Sequence, residues 1–581
     1  MGEANVLLSS GFNAAATDDV IWRQPGGKAE SRSASSWLRW RPEVSAENLL
    51  LACSLYFVLV ACRPFWHALL AHRAGDAISL AYVLAVGIGL TGVHFLLFAP
   101  LLARWTIKPL LASLIVVSAS ASYFAGQFGV YFDPDMLRNV VRTDIPEARE
   151  LLGPSLFAHV LAIALPALVV LQRVRVRRRA FARALGLRLV YILIVAIVAA
   201  GALGGVYKDF SAQMRNHKEI RYLIVPAAPL WSLVRVMTND ARAANVPRRP
   251  IGTDARLGAS WPSAKKPALF VIVVGETARA DNWGLNRAAG HSPVHDTTPE
   301  LARRDVINFP DMKSCGTDTE VSVPCMFSLQ GRKNYDEDAI RTSESLLDVL
   351  NHAGLHVIWN DNQSGCKGVC DGVDSMRPDP AAFPDLCGTD RCLDGALLES
   401  SEKVMRDTKG NLVLVLHQLG NHGPAYSRRY PDAFRRFMPT CDEEDLSRCS
   451  REQVINSYDN ALLYTDHVLG GTIDWLKRLE STYDTAMIYV SDHGESLGEK
   501  GLYLHGLPYS IAPDEQTRVP MTLWLSTGFV KRNRLNPDCL RARANQPASH
   551  DNLFHTVLGL LDVTTALRDD ALDLTTSCRG G

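Results

Sequence analysis

The sequence has no net charge: 61 lysines and arginines balance 61 aspartates and glutamates over 581 residues. No global basic field is therefore available to recruit a nucleic acid, and none is expected as a partner. The front of the chain also lacks an apolar core followed by a cleavage site. Its first 37 residues contain Gly, Ser and Ala and few large apolar side chains, so residues 1–45 read as a flexible cytoplasmic tail rather than a signal peptide. A third absence is any repeated CxxC-type spacing among the 12 cysteines. That weighs against a cysteine-rich zinc site, the reading that competes with disulfides.

The length is enough for two or three domains, and the composition divides the chain into two halves. Cys53 and Cys62 lie in the first apolar run, whereas the other ten cysteines all follow residue 310. Their close spacing pairs Cys315 with Cys325, Cys366 with Cys370, Cys387 with Cys392 and Cys441 with Cys449, leaving Cys539 and Cys578 by elimination. Disulfides persist only in an oxidising compartment.

A membrane span needs about 20 mostly apolar residues. Five runs qualify within a domain at 46–206: 47–66, 78–103, 108–128, 155–172 and 188–206. Basic residues cluster before the first run (Arg23, Lys28, Arg32, Arg39, Arg41), between the second and third (Arg104, Lys108), and between the fourth and fifth (Arg173, Arg175, Arg177, Arg178, Arg179, Arg183). All three clusters share one side if the N-terminus is cytoplasmic, which sends everything after residue 206 to the other side. The charge bias and the cysteine pattern reach this placement separately. The loop at 129–154 carries Asn139, Thr143 and Glu147 at intervals of four, one face of a continuous helix. Pro146 opposes a continuous helix and fits equally well as the opening of a second short one. On these residues alone the loop reads as an ordinary amphipathic surface segment.

Residues 207–262 form a proline-bearing linker whose stretch 222–237 either lies along the membrane surface or packs on the soluble domain. The remainder, 263–581, alternates strands (269–274, 356–359, 412–416, 487–490, 521–525) with helices such as 343–353 and 454–479. That alternation implies an α/β fold with a mainly parallel central sheet, whose ligands gather at the C-terminal strand ends. Glu276, His417, His422, Asp492 and His493 all stand just past strands, a donor set suited to a divalent metal, zinc foremost. Thr319, in SCGTDTEVSVPCMFS, sits where a loop enters a helix and is a candidate nucleophile; the plainer role is a helix N-cap. Asp318 and Glu320 flank it and would repel a phosphate unless turned away or paired.

The stretches GETARADN (275–282), CGTDTEVSVPCMFS (315–328), DNQSGCKGVCD (361–371), HQLGNHGPAY (417–426), SYDNALLYTD (457–466) and SDHGESLGEKGLYLHG (491–506) resemble the phosphoethanolamine–lipid A transferases, a group that includes the mobile colistin-resistance enzymes. The resemblance runs from about residue 47 onward and leaves roughly the first 40 residues as an extension. It implies an α-helical five-span membrane domain plus an alkaline phosphatase/sulfatase-like α/β domain. It further implies zinc (one ion tightly bound, with recruitment of a second) on Glu276, Thr319, Asp492 and His493, with Thr319 also the nucleophile. Lys367, His422 and His505 correspond to residues that contact the phosphoryl group or headgroup; Asn139, Thr143 and Glu147 correspond to the headgroup pocket. The expected reaction takes phosphoethanolamine from phosphatidylethanolamine to lipid A through phosphoethanolamine–Thr319, with Lys367 neutralising charge and His422 or His505 as acid and base. The expected setting is a monomer in the bacterial inner membrane with its catalytic domain in the periplasm, conferring polymyxin resistance. Rival readings are a hydrolase on the same scaffold, a transferase of phosphoglycerol or to another glycan, and a non-enzymatic membrane sensor.

Overall fold

The protein is described from a computed structural model covering residues 41–580 except 72–79, 104, 244–245, 292 and 389–390. The expected tail up to residue 40, with Arg23, Lys28, Arg32 and Arg39, lies outside the described residues, as do Arg104 and positions 78–79 of the expected second span.

Among the described residues, four helices are long and apolar enough to cross a membrane, and a bent pair makes a fifth candidate. In the bent pair, α1 (Ala46–Tyr56) runs through a π turn at Phe57–Ala61 and gives way to α2 (Arg63–Ala71) at 55°. A π turn and a proline, Pro64, coincide at the break, and both are recognised causes of kinks. The apolar run 47–66 expected as the first span falls within this bent pair. The others are α3 (Leu80–Phe98, extended by a 3-10 turn to Leu101), α4 (Ile107–Phe128), α7 (Pro154–Arg173) and α8 (Phe181–Gly205). Helix α8 begins earlier than its apolar run, so Arg183, expected in the preceding loop, lies within it. Helices α3 and α8 approach closely because α3 presents Gly92: a Cβ there would stand 2.5 Å from that of Ala199.

Between α4 and α7 the chain forms α5 (Pro134–Arg142) and α6 (Ile145–Glu150). Asp133 caps the first by accepting from Met136 N, and Asp144 caps the second by accepting from Glu147 N. Pro146 therefore opens a second short helix, and the continuous helix does not form. After α8 come α9 (Tyr207–Asn216) and α10 (Ala227–Ala243). Helix α10 packs on α5, where Ser232 donates to Phe132 O at 2.8 Å, and it leaves Trp231, Val234 and Met237 exposed.

The soluble half is built on an eight-stranded sheet. In chain order its strands are β1 (Ala268–Gly275), β2 (Val306–Lys313), β3 (His356–Asp361), β4 (Asp374–Met376), β5 (Leu412–His417), β6 (Asp484–Ser491), β7 (Arg518–Leu525) and β8 (Ala548–Ser549). They lie in the order β8-β2-β7-β6-β1-β5-β3-β4, and only β7 runs antiparallel to its neighbours. Helices cover both faces, which is why β1 is apolar throughout. Phe270, Ile272 and Val274 enter one core, while Leu269, Val271 and Val273 enter the other. The helices used below are α11 (Thr319–Met326), α12 (Glu337–Arg341), α13 (Leu346–His352) and α14 (Arg451–Arg478). The four cysteine pairs expected from spacing and the fifth left by elimination are disulfides, and Cys53 and Cys62 are free thiols.

Candidate active site

Register alone brings the first three site residues together. Strands β1 and β6 are parallel neighbours, with Gly275 paired to Ser491 at their C-terminal ends. The next residues along each strand, Glu276 and then Asp492–His493, are thereby neighbours. Asp492 N donates to Gly275 O at 2.9 Å, and Thr277 N donates to Asp492 Oδ1 at 3.2 Å. Thr277 has φ 53°, a left-handed turn that takes the chain sharply away after Glu276.

Glu276, Asp492 and His493 are fully buried, and one ligand atom from each lies within 4.8 Å of the others. His493 Nε2 is 3.3 Å from Glu276 Oε1 and 3.4 Å from Asp492 Oδ2. Those two carboxylate oxygens have no hydrogen-bond partner. Burial lowers the affinity of His493 for a proton, but Asp492 and Glu276 outweigh it and push the imidazole up to about 10. Burial and the charge of Glu276 raise Asp492 to about 6. Burial also favours the neutral form of Glu276, yet His493, His422 and His505 hold its carboxyl below the ordinary range. Two buried carboxylates with unpartnered oxygens and one imidazole form a site with excess negative charge, suited to a divalent cation.

Thr319 completes the cluster. Its Oγ1 donates to Glu276 Oε2 at 3.0 Å and stands 3.4 Å from His493 Nε2. It is the first residue of α11, while Asp318 is the N-cap and accepts from Val321 N at 3.1 Å. The plainer role of Thr319 as the cap is thus taken by its neighbour, and its hydroxyl is turned to the cluster. Glu320, the other acidic neighbour, is fully buried and faces Lys367 Nζ at 3.0 Å, Arg142 at 3.0 Å and Arg341 at 3.8 Å.

The remaining candidates surround this centre unevenly. The His505 ring lies 4.5 Å from that of His493 and 5.5 Å from that of His422, so it bridges the two. Its Nδ1 is held by Glu495 Oε2 at 2.7 Å. His422 Nε2 meets Glu147 Oε1 of α6 at 3.1 Å. Burial disfavours protonation of His422, but Glu147 and Glu276 prevail and raise it; reciprocally, His422 and Arg391 overcome burial and bring Glu147 down to about 2. Lys367 is placed by its Glu320 pairing and by Ser364 Oγ at 2.6 Å. Asn139 is half-buried on α5, and the Thr143 hydroxyl donates to its carbonyl at 2.7 Å. His417 is drawn elsewhere, its Nδ1–H donating to Asp361 Oδ1 at 2.8 Å and its ring packing edge-on against Trp359.

Sequence reading passed over several neighbours. Gln363 Nε2 donates to Glu276 Oε2 at 3.3 Å, and Ser322 Oγ donates to Asp492 O at 2.5 Å. His550 accepts from Cys315 N at Nδ1 and faces Ser491 O with Nε2, both at 3.0 Å. Burial lowers it to about 3, so it is the neutral tautomer with the proton on Nε2. Gln363 was findable as a polar residue just past strand β3; His550 had no local signal.

A mainly parallel sheet with a threonine and a buried carboxylate–imidazole triad at its C-terminal edge fits the sulfatase class, and the family model described as Sulfatase matches residues 268–563. A second model, described as Phosphoethanolamine transferase EptA/EptB, matches 90–241. The chain belongs to the phosphoethanolamine transferase family: it is 40% identical over 484 residues to phosphoethanolamine transferase EptA of Escherichia coli K12, covering 82% of this chain and 86% of that one. It is 36% identical over 545 residues to phosphatidylethanolamine transferase Mcr-1 of Escherichia coli, covering 90% and 96% respectively. The solved integral membrane lipooligosaccharide phosphoethanolamine transferase A of Neisseria meningitidis superposes with a TM-score of 0.85 at 34% identity, over 93% of this chain and all of that one. The present chain is likewise a membrane protein.

Proposed function

We propose that the protein transfers phosphoethanolamine from phosphatidylethanolamine to a phosphate of lipid A by way of a covalent phosphoethanolamine–Thr319, at the periplasmic face of the bacterial inner membrane. The observation that carries this reading is the Thr319 hydroxyl, held 3.0 Å from Glu276 and 3.4 Å from His493 in a buried cluster with unpartnered carboxylate oxygens. The names of the relatives supply the transferred group.

Glu276, Asp492, His493 and Thr319 would hold zinc, which on binding acidifies the hydroxyl and offsets charge on a phosphoryl oxygen. The chain supplies the rest. The Thr319 proton leaves along its hydrogen bond toward Glu276 Oε2, and Oγ1 bonds to phosphorus. The bond from phosphorus to the glycerol oxygen breaks, and His422, kept protonated by Glu147, gives that oxygen its proton. In the second half His422 takes the proton of the acceptor phosphate as that phosphate's oxygen bonds to phosphorus, the bond to Thr319 Oγ1 breaks, and the proton on Glu276 returns to the threonine oxygen. Lys367 offsets charge on the non-bridging oxygens, and the N-terminus of α11 adds its free amides. Asn139, Thr143 and Glu147 present the membrane loop to the headgroup. The product surface is less anionic, and cationic peptides such as polymyxin bind it more weakly.

Intact-mass measurement after incubation with phosphatidylethanolamine tests the intermediate. A phosphoethanolamine adduct is expected on the wild type and none on Thr319→Ala; an equal adduct on both would overturn the assignment. Radiolabelled donor distinguishes transfer, which labels glycolipid, from hydrolysis, which releases free phosphoethanolamine.

A further inference from the structure

His505 is delivered to the centre by a hairpin that the catalytic domain does not hold alone. Its two short strands, Ser496–Leu497 and Tyr503–Leu504, pair antiparallel, and Gly498 N closes the turn between them by donating to Leu502 O at 2.7 Å. From Gly498 to Gly506 the chain takes positive φ at Gly498, Lys500, Gly501, Leu504 and Gly506. The glycines enter that region at no steric cost. Leu504, with φ 63°, does not: a bulky side chain adopts this conformation only when its surroundings enforce it, and here it stands immediately before His505.

The enforcement comes from two sides. On the membrane side, Tyr503 and Leu504 pack against a cluster made by Tyr123 and Phe128 of α4 and Leu156 of α7. The same half of the molecule meets the hairpin on its flanks. A Cβ on Gly129, just past α4, would stand 3.2 Å from Leu502 Cδ2, and one on Gly506 would stand 2.6 Å from Met136 Cε of α5. On the catalytic side, a Cβ on Gly423, the neighbour of His422, would stand 2.9 Å from Leu504 Cδ2, so the leucine occupies the space that this glycine leaves. The Leu504 carbonyl accepts from Gln516 Nε2 at 3.0 Å, which fixes the peptide leading into His505. Rotation of Leu504 back to negative φ would redirect the chain at the residue before the imidazole and take His505 from its place between His493 and His422.

We infer that Leu504 is a positioning residue for His505, held in its left-handed conformation by apolar contact with the ends of membrane helices α4 and α7. The inference rests on the transfer reading above, with His505 among the groups around the transferred phosphoryl group. It adds that the placement of this imidazole is set from the membrane half, through a side chain that itself touches no substrate.

The test uses the full chain in detergent micelles and follows the rate of Thr319 adduct formation by intact mass at saturating phosphatidylethanolamine, a readout that stays measurable for slow variants. Leu504→Ala removes the gripped side chain and leaves a Cβ that resists positive φ; Leu504→Gly removes the side chain and the resistance together. The adduct should form about tenfold more slowly in Leu504→Ala, with the half-saturating donor concentration unchanged, and Leu504→Gly should recover part of that loss. A residue that only filled space would give the opposite order, because glycine leaves the larger void and the looser chain. Phe128→Ala, on the membrane side of the contact, should slow the adduct in the same way. In a His505→Ala background neither Leu504→Ala nor Phe128→Ala should slow it further, since both act through the imidazole. Slower reaction in Leu504→Gly than in Leu504→Ala would overturn the inference, as would a full additional loss from Leu504→Ala in the His505→Ala background. Absence of any adduct on the wild type would refute the transfer reading and the inference with it, whereas an adduct formed equally fast by wild type and Leu504→Ala would refute the inference alone.

Discussion

Glu320 stands next to the candidate nucleophile with no exposure, and three cations from three elements converge on it: Arg142 of α5, Arg341 of α12 and Lys367 after β3. A carboxylate that would repel a phosphate is thereby neutralised, and it fixes the ammonium expected to attract one. Glu320→Ala strands those cations, and removing one partner from a buried cluster costs about 3–5 kcal/mol; a lower melting temperature in detergent is expected, with less recovery by Gln than by Asp. The pair His422–Glu147 gives a pH prediction. His422 is raised, so its protonated form survives to higher pH than a free imidazole, and Glu147→Gln should move the alkaline limb of the transfer rate to lower pH. The same pair sets loop docking. Glu147, lowered to about 2, contributes stability above the free carboxylate range that is lost as pH falls through that value; His422 contributes stability below the free imidazole range that is lost as pH rises through its elevated value. Thermal melts of wild type and Glu147→Gln across pH should differ most between those ranges. Much of this was legible in single residues: Glu276, Asp492 and His493 each follow an apolar strand, and a strand end in a parallel sheet has one place to put a side chain. The cap assignment was not, because Asp318 and Thr319 are equally good caps and only the fold decides between them.

At the scale of elements, the strands legible in the sequence were those buried on both faces, whose apolar runs are continuous. Strand β2 escaped because it reads VINFPDMK and is buried on alternate residues, with Pro310 and Asp311 inside it. Those residues face the register irregularity of β7 between Val519 and Met521, where Pro520 likewise lacks a donor. Strands β4 and β8, of three and two residues, have no pattern long enough to read. Helix α14 begins ahead of its apolar stripe because Ser450 and Gln453 form a capping box. The disulfide Cys315–Cys325 encloses the front of α11, and both cysteines are fully buried. Replacing both by Ala should lower stability by about 2–4 kcal/mol and reduce Thr319 adduct formation, measured by thermal melting and intact mass.

For the whole molecule, the excess negative charge at the triad couples metal to stability. Zinc at 100 times its dissociation constant should stabilise the folded chain by about 2.7 kcal/mol, and a chelator should remove that increment. Asp492→Asn should abolish most of the zinc-dependent rise in melting temperature; an undiminished rise would place the ion elsewhere. The two halves also meet through charge. Arg138 of α5 binds Glu337, Arg142 binds Glu320, Arg391 binds Asp144, Arg429 binds Glu150, and His422 binds Glu147.

Those contacts press the membrane half against the candidate site, so it is more than a leash. A truncated, freely diffusing version beginning after the linker would keep its threonine and its triad yet leave His422 without its carboxylate and Glu320 without one of its arginines. Such a fragment would carry the residues proposed to hold metal without the contact that raises His422, so the proton donor proposed here would lose its tuning together with the anchor.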